Sequence, residues 1–330
     1  MSAWRRLPAA AADVSICELG TLGGPVSQAK AVNRRGHVVG TSRDGAGRSR
    51  AFLWTADRGI SDLQPSTGVN SSANDINDPG DIVGGGDTGF GAFHAYLLSE
   101  GTALDLGTLG GSESEALAVN EVGQVAGHSR VSEGAGKHAF CIPQPGRMLD
   151  LGTLGGAMSV AHGVNDRAVV VGLAETERGA AHAFRWSEGE GMGDLGTLGG
   201  GASMALGINN RGDVVGGSGR AFLWTERSGM IDLGTLGGRT SCACAVNDAG
   251  AIVGVSQTGK TDRRGRRELP VSHAFLRMPD GRMVDLGTLG GADSAAVAIS
   301  AEAAGVCFIA GHSHDVSGAI RAVVWSVRLG

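Results

Sequence analysis

Four histidines occupy the same place in a recurring His-Ala-Phe or His-Ala-Tyr segment, and such an array could bind a metal ion or supply general bases. They are His94, His138, His182 and His273. Three other copies of the segment have arginine there: Arg50, Arg220 and Arg321. A guanidinium is always charged and offers a metal no lone pair, so His and Arg share only the ability to donate hydrogen bonds. The position therefore predicts a structural bond to a neighbouring carbonyl or to the acidic residue that recurs in each repeat.

Residues 254–261 read Gly-Val-Ser-Gln-Thr-Gly-Lys-Thr, which fits the pattern of a phosphate-binding loop letter for letter. That loop works only between a strand and a helix whose amino end faces the phosphates. Gly254 is instead the glycine that recurs after one strand of every repeat, and residues 262–270 show no helical pattern. The sequence predicts a long solvated loop here, and its basic run could attract an anionic partner.

Two further segments contain metal-binding residue types at unsuitable spacings. Residues 75–81 resemble a calcium loop, but Pro79 and Gly86 stand where oxygen ligands are required. Cys242 and Cys244 lie two apart on a predicted strand, and two ligands alone do not make a zinc site. These cysteines are interpreted as packed small residues. No metal site and no cofactor is therefore expected.

The chain is organised by the hexapeptide Leu-Gly-Thr-Leu-Gly-Gly. Unchanged copies begin at Leu19, Leu106, Leu151, Leu195, Leu233 and Leu286, and a degraded copy at 63–68 fills the one gap. The acidic residues that precede the copies follow one another at intervals of about 44 residues. This length suits four short strands with their turns, as in a propeller blade, and no segment shows the spacing of a helical repeat.

Each repeat contains four segments with strand character. In the first repeat a run of small residues at 29–33 is followed by a β-branched segment at 36–40 and by the third strand at 50–54. A final strand, such as 229–233, leads into the next hexapeptide. Asn33 and Gly36 predict a tight turn between the first two strands, because Asn can bond its own turn and Gly accepts positive φ. Ala168 replaces this Gly in the fourth repeat, and Ser300 replaces the Asn in the seventh.

The two ends of the chain complement each other. The seventh repeat stops soon after its third strand, whereas residues 15–20 match the fourth-strand pattern without strands before them. An amino-terminal strand that completes the last blade would close the ring and remove its exposed sheet edge. The sequence thus predicts an all-β, seven-bladed β-propeller of four-stranded antiparallel blades, forming one domain over 1–330. The predicted blades span about 21–64, 65–107, 108–152, 153–196, 197–234, 235–287, and 288–330 together with 13–20.

His-Ala-Phe combined with Asp-Leu-Gly-Thr-Leu-Gly-Gly resembles the bacterial HAF-repeat proteins, and the resemblance covers the chain after about residue 13. Members of that family are mostly described as extracellular repeat proteins, so the resemblance implies a fold more than an activity. The amino-terminal residues lack the apolar run of a secretory signal, which predicts a cytoplasmic location.

Composition narrows the classes of partner. The formal net charge is -5 and the isoelectric point is about 6.0, which gives no general attraction to nucleic acid or to an anionic membrane. No window approaches the ~18 apolar residues of a membrane-spanning helix. The five cysteines are an odd number without a paired pattern, as expected of reduced thiols.

The candidate functional residues are those that break the repeat on one face of the ring. The hexapeptide and the variable connection after the second strand open on the same face, called here the hexapeptide face, and loops on a rigid scaffold commonly carry function. The predicted ligand-binding residues are Arg43, His128, Arg130, Glu175 and Glu177. Under an enzymatic alternative, general acid–base work falls to His312, His314 and Asp315.

The sequence favours a non-catalytic binding or interaction propeller that takes a small molecule or a protein at the hexapeptide face. The alternative is a cofactor-independent lyase, isomerase or cyclase acting on a small molecule at the mouth of the central channel. Neither nucleic acid nor a membrane is expected as a partner, and the oligomeric state is left open.

Overall fold

The structure is a computed structural model that describes residues 4–6, 13–66, 68–89, 91–132, 136–144, 146–264 and 267–328. Within these ranges the chain consists of strands and turns, without a helix. None of the described segments could therefore cross a membrane as an apolar helix. Seven antiparallel sheets surround a central channel, so the fold is the seven-bladed β-propeller that the sequence predicts.

The strands are numbered along the chain and grouped by blade. The amino-terminal segment forms β1 (Arg5–Arg6) and β2 (Asp13–Glu18). Blade 1 contains β3 (Gly23–Val32), β4 (Val38–Asp44), β5 (Ser49–Thr55) and β6 (Gly59–Asp62). Blade 2 contains β7 (Ser71–Ile76), β8 (Ile82–Asp87), β9 (Phe93–Ser99) and β10 (Thr102–Gly107). Blade 3 contains β11 (Ser114–Val119), β12 (Val125–Arg130), β13 (Lys137–Ile142) and β14 (Leu149–Asp150).

The remaining blades repeat this order. Blade 4 contains β15 (Gly155–Val164), β16 (Val170–Thr176), β17 (Ala181–Ser187) and β18 (Gly191–Asp194). Blade 5 contains β19 (Met204–Ile208), β20 (Val214–Gly217), β21 (Ala221–Thr225) and β22 (Gly229–Asp232). Blade 6 contains β23 (Ser241–Val246), β24 (Ile252–Arg264), β25 (Arg267–Arg277) and β26 (Met283–Asp285). Blade 7 contains β27 (Gly290–Ile299), β28 (Val306–Asp315) and β29 (Ile320–Arg328).

The amino-terminal strand closes the ring, which confirms the prediction. β2 pairs antiparallel with β29, from Asp13 opposite Arg328 to Glu18 opposite Val323. Ile16 is 1% exposed, because it packs in the cluster between blades 6 and 7. The short β1 adds a fifth strand outside β2, which the sequence pattern does not indicate.

The apolar core lies between the blades. Each of the seven inter-blade clusters includes the first Leu of a hexapeptide, and six of them also include the fourth residue, again a Leu. Between blades 7 and 1 these residues are Leu19 and Leu22, which pack with Phe52 and Trp54. The hexapeptide is therefore both the connection between blades and a part of the core that joins them.

The hexapeptide glycines follow from backbone geometry. In the copy that precedes blade 3, Gly107 and Gly110 have φ of 71° and 118°, which a residue with a side chain rarely adopts. A Cβ on Gly111 would lie 2.5 Å from the Cβ of Arg130, so the last glycine lets the connection pass close to β12.

A buried serine on each inner strand joins neighbouring blades. Ser159 Oγ accepts a hydrogen bond from the Ala139 N–H of blade 3 at 2.8 Å and donates to the Gly152 carbonyl at 2.5 Å. Six equivalent serines accept the same bond from the His-Ala-Phe alanine of the preceding blade: Ser27, Ser71, Ser114, Ser203, Ser241 and Ser294.

The predicted Asn turns are confirmed and also link the blades. Asn209 Oδ1 accepts bonds from two backbone N–H groups of its own turn, and Gly212 takes a φ of 90°. Asn209 Nδ2 donates to the Asn247 carbonyl of the next blade at 3.1 Å. Ala168 adopts a φ of 57° where the other turns have Gly, so the fourth blade keeps the turn despite the substitution.

The long solvated loop predicted in the sixth repeat is wrong. β24 and β25 continue past the blade and pair out to Arg264 opposite Arg267, forming a two-stranded arm. Polar residues on both faces of a hairpin give no hydrophobic alternation, so the sequence pattern does not distinguish such an arm from a loop. Gly254 to Thr261 lie on β24, with an irregularity between Gln257 and Thr261 where Gly259 takes a φ of 76°, and without the helix that a phosphate-binding loop requires.

Candidate ligand site in the central channel

The channel wall is built from a β-bulge that recurs on every inner strand. In each blade one residue is left unpaired between the inner and second strands, and a bulge of this kind re-aims the side chain of the extra residue. The seven bulge residues line a cavity of about 430 Å³ in the channel. They are Lys30, Asn74, Leu117, His162, Leu206, Cys244 and Val297.

Two of the channel residues, Lys30 and Asn74, form a hydrogen-bonded chain with Glu115 across blades 1 to 3. Lys30 Nζ donates to Asn74 Oδ1 at 2.8 Å, and Asn74 Nδ2 donates to Glu115 Oε1 at 2.9 Å. Ser72 Oγ donates to the same Glu115 oxygen at 3.1 Å. We call Gln28, Lys30, Ser72, Asn74 and Glu115 the polar arc. Lys30, Ser72 and Glu115 also line a side pocket of about 300 Å³ between blades 1 and 2.

In the hydrogen-bonded chain from Lys30 to Glu115, the charge of the ammonium is balanced by that of the carboxylate. Burial lowers the pKa of the Lys30 ammonium, and the nearby Glu115 carboxylate opposes that shift. Farther round the ring, burial lowers the pKa of His162, whose Nδ1 lies 3.0 Å from the Ala205 carbonyl oxygen. His162 therefore favours the neutral imidazole, and Lys30 is the cation of the polar arc.

Asp75 follows the bulge residue of blade 2 and lies where the six other blades have Ala or Gly. Its Oδ1 accepts a bond from the Ile76 N–H and its Oδ2 accepts one from the Val119 N–H, both at 2.9 Å. Burial raises the pKa of Asp75 to about 7, and the charge of Glu121 acts in the same direction. An acid of this pKa on the channel wall exchanges its proton near neutral pH.

The channel wall opposite the polar arc is apolar. Leu206 and Val297 line it together with the thiol-bearing Cys244, and Met204, one layer nearer the hexapeptide face, is 40% exposed. Cys242 and Cys244 are both half-buried on β23, and Cys242 Sγ donates to the Ala243 carbonyl at 3.9 Å. The channel thus presents a polar side and an apolar side to whatever occupies it.

The far mouth of the channel is ringed by acidic side chains with a structural duty. Asp78, Glu121, Asp166 and Asp248 each accept a bond from the backbone N–H of the preceding blade's turn, at 2.7–3.0 Å. Burial raises the pKa of Glu121, and the charges of Asp78 and Asp166 add to that shift. These bonds tie the turns of neighbouring blades together at the channel end away from the hexapeptide face.

Two of the predicted ligand-binding residues share one network. His128 Nε2 lies 3.4 Å from Lys137 Nζ, and Glu113 Oε2 lies 3.0 Å from Arg130 Nε and 3.5 Å from the same lysine. His128 Nδ1 is buried without a hydrogen-bond partner among the described residues. Burial lowers the pKa of His128, and the Lys137 charge contributes.

The other predicted ligand-binding residues make local contacts. Arg43 Nη1 donates to the Gly47 carbonyl at 2.8 Å, and Glu175 Oε2 accepts a bond from the Ala157 N–H at 3.2 Å. Glu177 packs beside Gly155 at the start of its blade. The structure thus brings His128 and Arg130 together and places Arg43, Glu175 and Glu177 in separate surroundings on blades 1 and 4.

The residues of the enzymatic alternative lie on one strand, β28, where alternation places His312 and His314 on one face and Asp315 on the other. His312 is half-buried and burial lowers its pKa, with the charge of His314 contributing. His314 Nδ1 lies 3.4 Å from Asp293 Oδ2. Asp315 accepts bonds from the Ser317 hydroxyl at 2.6 Å, from the N–H groups of its own turn and from Arg321 Nε at 3.1 Å, and these bonds lower its pKa to about 2. The contacts of Asp315 are those of a turn cap.

The recurring histidines have the structural role that the sequence predicts. His138 Nδ1 lies 2.9 Å from Asp150 Oδ1, and the same pairing joins His94 to Asp105, His182 to Asp194 and His273 to Asp285. Arg50 and Arg220 pair in the same way with Asp62 and Asp232. The repeated acid is therefore the partner of the repeated donor.

Sequence reasoning missed Lys30, Asn74, Asp75 and Glu115. The signal was present, because these residues interrupt an inner-strand segment of otherwise small or apolar residues. Candidate residues were sought in the variable loops, whereas the polar arc lies on the most regular strands of the fold. The bulge that turns its residues toward the channel has no sequence pattern of its own.

Comparison with known proteins supports the fold. No protein-family model and no curated protein matches the sequence. Among solved structures, the chain is similar to a gluconolactonase from Xanthomonas campestris, with 12% identity, a TM-score of 0.47 and full coverage of both chains. It is also similar to puromycin hydrolase, in a structure of its S511A mutant, with 14% identity and a TM-score of 0.53. That match covers 92% of this chain and 54% of the hydrolase chain. At such identities the likeness shows a β-propeller alone.

Proposed function

We propose that this propeller is a non-catalytic binding protein that holds a small polar molecule in its central channel. The observation that carries the proposal is the polar arc, which replaces small or apolar residues on blades 1 to 3. Lys30 is bonded to Asn74 through one N–H, which leaves two donors of its ammonium for an anionic group. Glu115 accepts its described bonds at Oε1, and Oε2 remains for a ligand N–H or O–H.

The chemistry of the two walls defines the ligand class. A carboxylate or similar anion suits Lys30, and an ammonium or hydroxyl group suits Glu115. The apolar remainder of such a molecule would face Leu206 and Val297. A small amino-acid-like or hydroxy-acid-like molecule satisfies all three conditions, and the described channel volume of about 430 Å³ accommodates one.

The test is a thermal-shift screen of the purified protein against amino acids, hydroxy acids and neutral sugars, with native mass spectrometry to detect a molecule retained from the cell. We expect a stabilising ligand among the first two groups, and its effect should be lost in Lys30→Met and in Glu115→Gln.

Lys260→Met removes a lysine from the arm of blade 6 and is the matched control, with an unchanged response. Binding of the hits equally by Lys30→Met and the native protein would overturn the proposal. Chemical conversion of the bound molecule would instead support the enzymatic alternative.

A further inference from the structure

Blade 2 departs from the repeat at two positions that touch each other. In the other six blades the fourth hexapeptide residue is a Leu that packs between blades, and in five of them its N–H donates to a serine of the second strand. Blade 2 has Ser66 in place of the Leu and Gly86 in place of the serine. A Cβ on Gly86 would lie 2.7 Å from Ser66 Oγ, so the two replacements are in contact.

The missing side chain leaves a cavity. The cluster between blades 1 and 2 contains the first hexapeptide Leu, Leu63, but no counterpart of the fourth. A space of about 400 Å³ lies beside Ser66 and Gly86 on blade 2, bounded also by Pro65, Tyr96 and a set of alanine and glycine residues. Tyr96 stands where most blades have the Phe on which the repeat Leu packs, and its hydroxyl donates to the Ser72 carbonyl at 2.8 Å. The cavity therefore has a mainly apolar wall and a rigid aromatic ring.

Two carboxylates line this cavity. Asp87 lines it, and its Oδ2 accepts bonds from the backbone and side-chain nitrogens of Asn70, both at 2.9 Å, which leaves Oδ1 for another donor. Asp105 lines it together with its partner His94, at 2.8 Å from Oδ2 to Nδ1. The described residues around the cavity include no Lys or Arg. A cationic group is thus the complement of this wall.

We propose that the cavity left by Ser66 and Gly86 is a second ligand site, which takes a compact apolar molecule bearing one cationic group, such as an aryl amidinium or aryl ammonium. The ring of the ligand occupies the volume of the absent Leu and contacts Tyr96. Its cation is held by Asp87 and by the carboxylate of the His94–Asp105 pair. This site lies beside the inter-blade connection and is separate from the polar arc of the channel.

The probe is benzamidine, and its binding to the full chain is measured by isothermal titration and by ligand-observed NMR. We expect saturable binding by the native protein, with benzoate failing to bind because its charge matches that of the wall. Ser66→Leu restores the residue of the other six copies and should weaken benzamidine binding by about tenfold or more, since the side chain fills the site. The same substitution should raise the melting temperature, because it fills a void in the inter-blade core.

Ser112→Leu is the matched control, because it introduces the same side chain at an exposed position outside the cavity. It should bind benzamidine like the native protein. Asp87→Asn tests the charge independently of the cavity volume and should weaken binding by about fivefold or more. The proposal is overturned by unchanged affinity in both Ser66→Leu and Asp87→Asn, by equal binding of benzoate and benzamidine, or by no saturable binding of benzamidine.

Discussion

At the scale of the residue, single departures from the repeat have clear physical consequences. Asp75 stands where every other blade has Ala or Gly and is surrounded by protein on the channel wall. Both of its oxygens accept backbone bonds, which favour the carboxylate, but burial outweighs them and raises its pKa to about 7. The free energy of unfolding therefore depends on pH at this position in the direction opposite to that for most carboxylates.

Asp75 should make the protein less stable as the pH rises from about 4 to about 7. In the unfolded chain Asp75 releases its proton near the ordinary value of 3.8, whereas the folded protein holds it up to about pH 7. The folded state thus binds more protons in this window, and its stability falls with rising pH. Asp75→Asn removes the titration. The stability of the native protein relative to this variant should drop by about 1–3 kcal/mol between pH 5 and pH 8, measured by denaturant unfolding at each pH. A difference that is constant with pH would contradict the assignment.

At the scale of the element, the inner strand does two jobs on its two sides. Its buried serine bonds the preceding blade, while its bulge residue faces the channel. The serine is the same in all seven blades because every blade needs the same contact. The bulge residue varies because the channel wall imposes no common partner, and this freedom is what allowed a polar arc to form on three blades.

Removal of one inner-strand serine should weaken the contact between two blades. Ser159→Ala deprives the Ala139 N–H and the Gly152 carbonyl of their shared partner in a buried place. Leaving such groups unbonded costs about 1–3 kcal/mol, which should appear as a lower midpoint in urea unfolding. Ser61→Ala removes an exposed hydroxyl bonded to the Leu53 carbonyl and should change stability by no more than about 0.5 kcal/mol. Equal effects of the two substitutions would argue against the inter-blade role.

At the scale of the whole molecule, the amino-terminal strand holds the ring closed. Val14 and Ile16 on β2 belong to the cluster between blades 6 and 7, whereas Cys17 belongs to the one between blades 7 and 1. One short strand therefore contributes to the core on both sides of blade 7. Without it, β29 would present an unpaired edge and both clusters would open to water.

Deletion of residues 1–18 should abolish the folded monomer. Burial of three apolar side chains contributes about 5–8 kcal/mol, which is comparable to the whole stability of a typical domain. Gel filtration should show aggregation, and circular dichroism should show no cooperative melt. Among the described strands, deletion of residues 1–6 removes β1, whose two residues are exposed, and should leave the melt nearly unchanged. A folded, monomeric protein lacking 1–18 would show that β2 is dispensable.

The sequence by itself determined the parts of this protein that recur. The number of blades, the four strands of each, the Asn turns, the His–Asp pairs and the closing strand could all be predicted, because each copy records the same local requirement. Two elements that do not recur were not predicted: the short strand β1, and the arm of β24 and β25, whose polar residues leave no alternating pattern.

Only the tertiary structure decided where non-recurring residues meet. Lys30, Asn74 and Glu115 are more than 40 residues apart along the chain, by their numbers, and come into contact because the ring places successive inner strands side by side. The cavity at Ser66 likewise exists because a side chain is missing from a contact between two blades. A repeat pattern reveals what each blade must contain, but the neighbours of an unusual residue depend on how the blades are arranged around the axis.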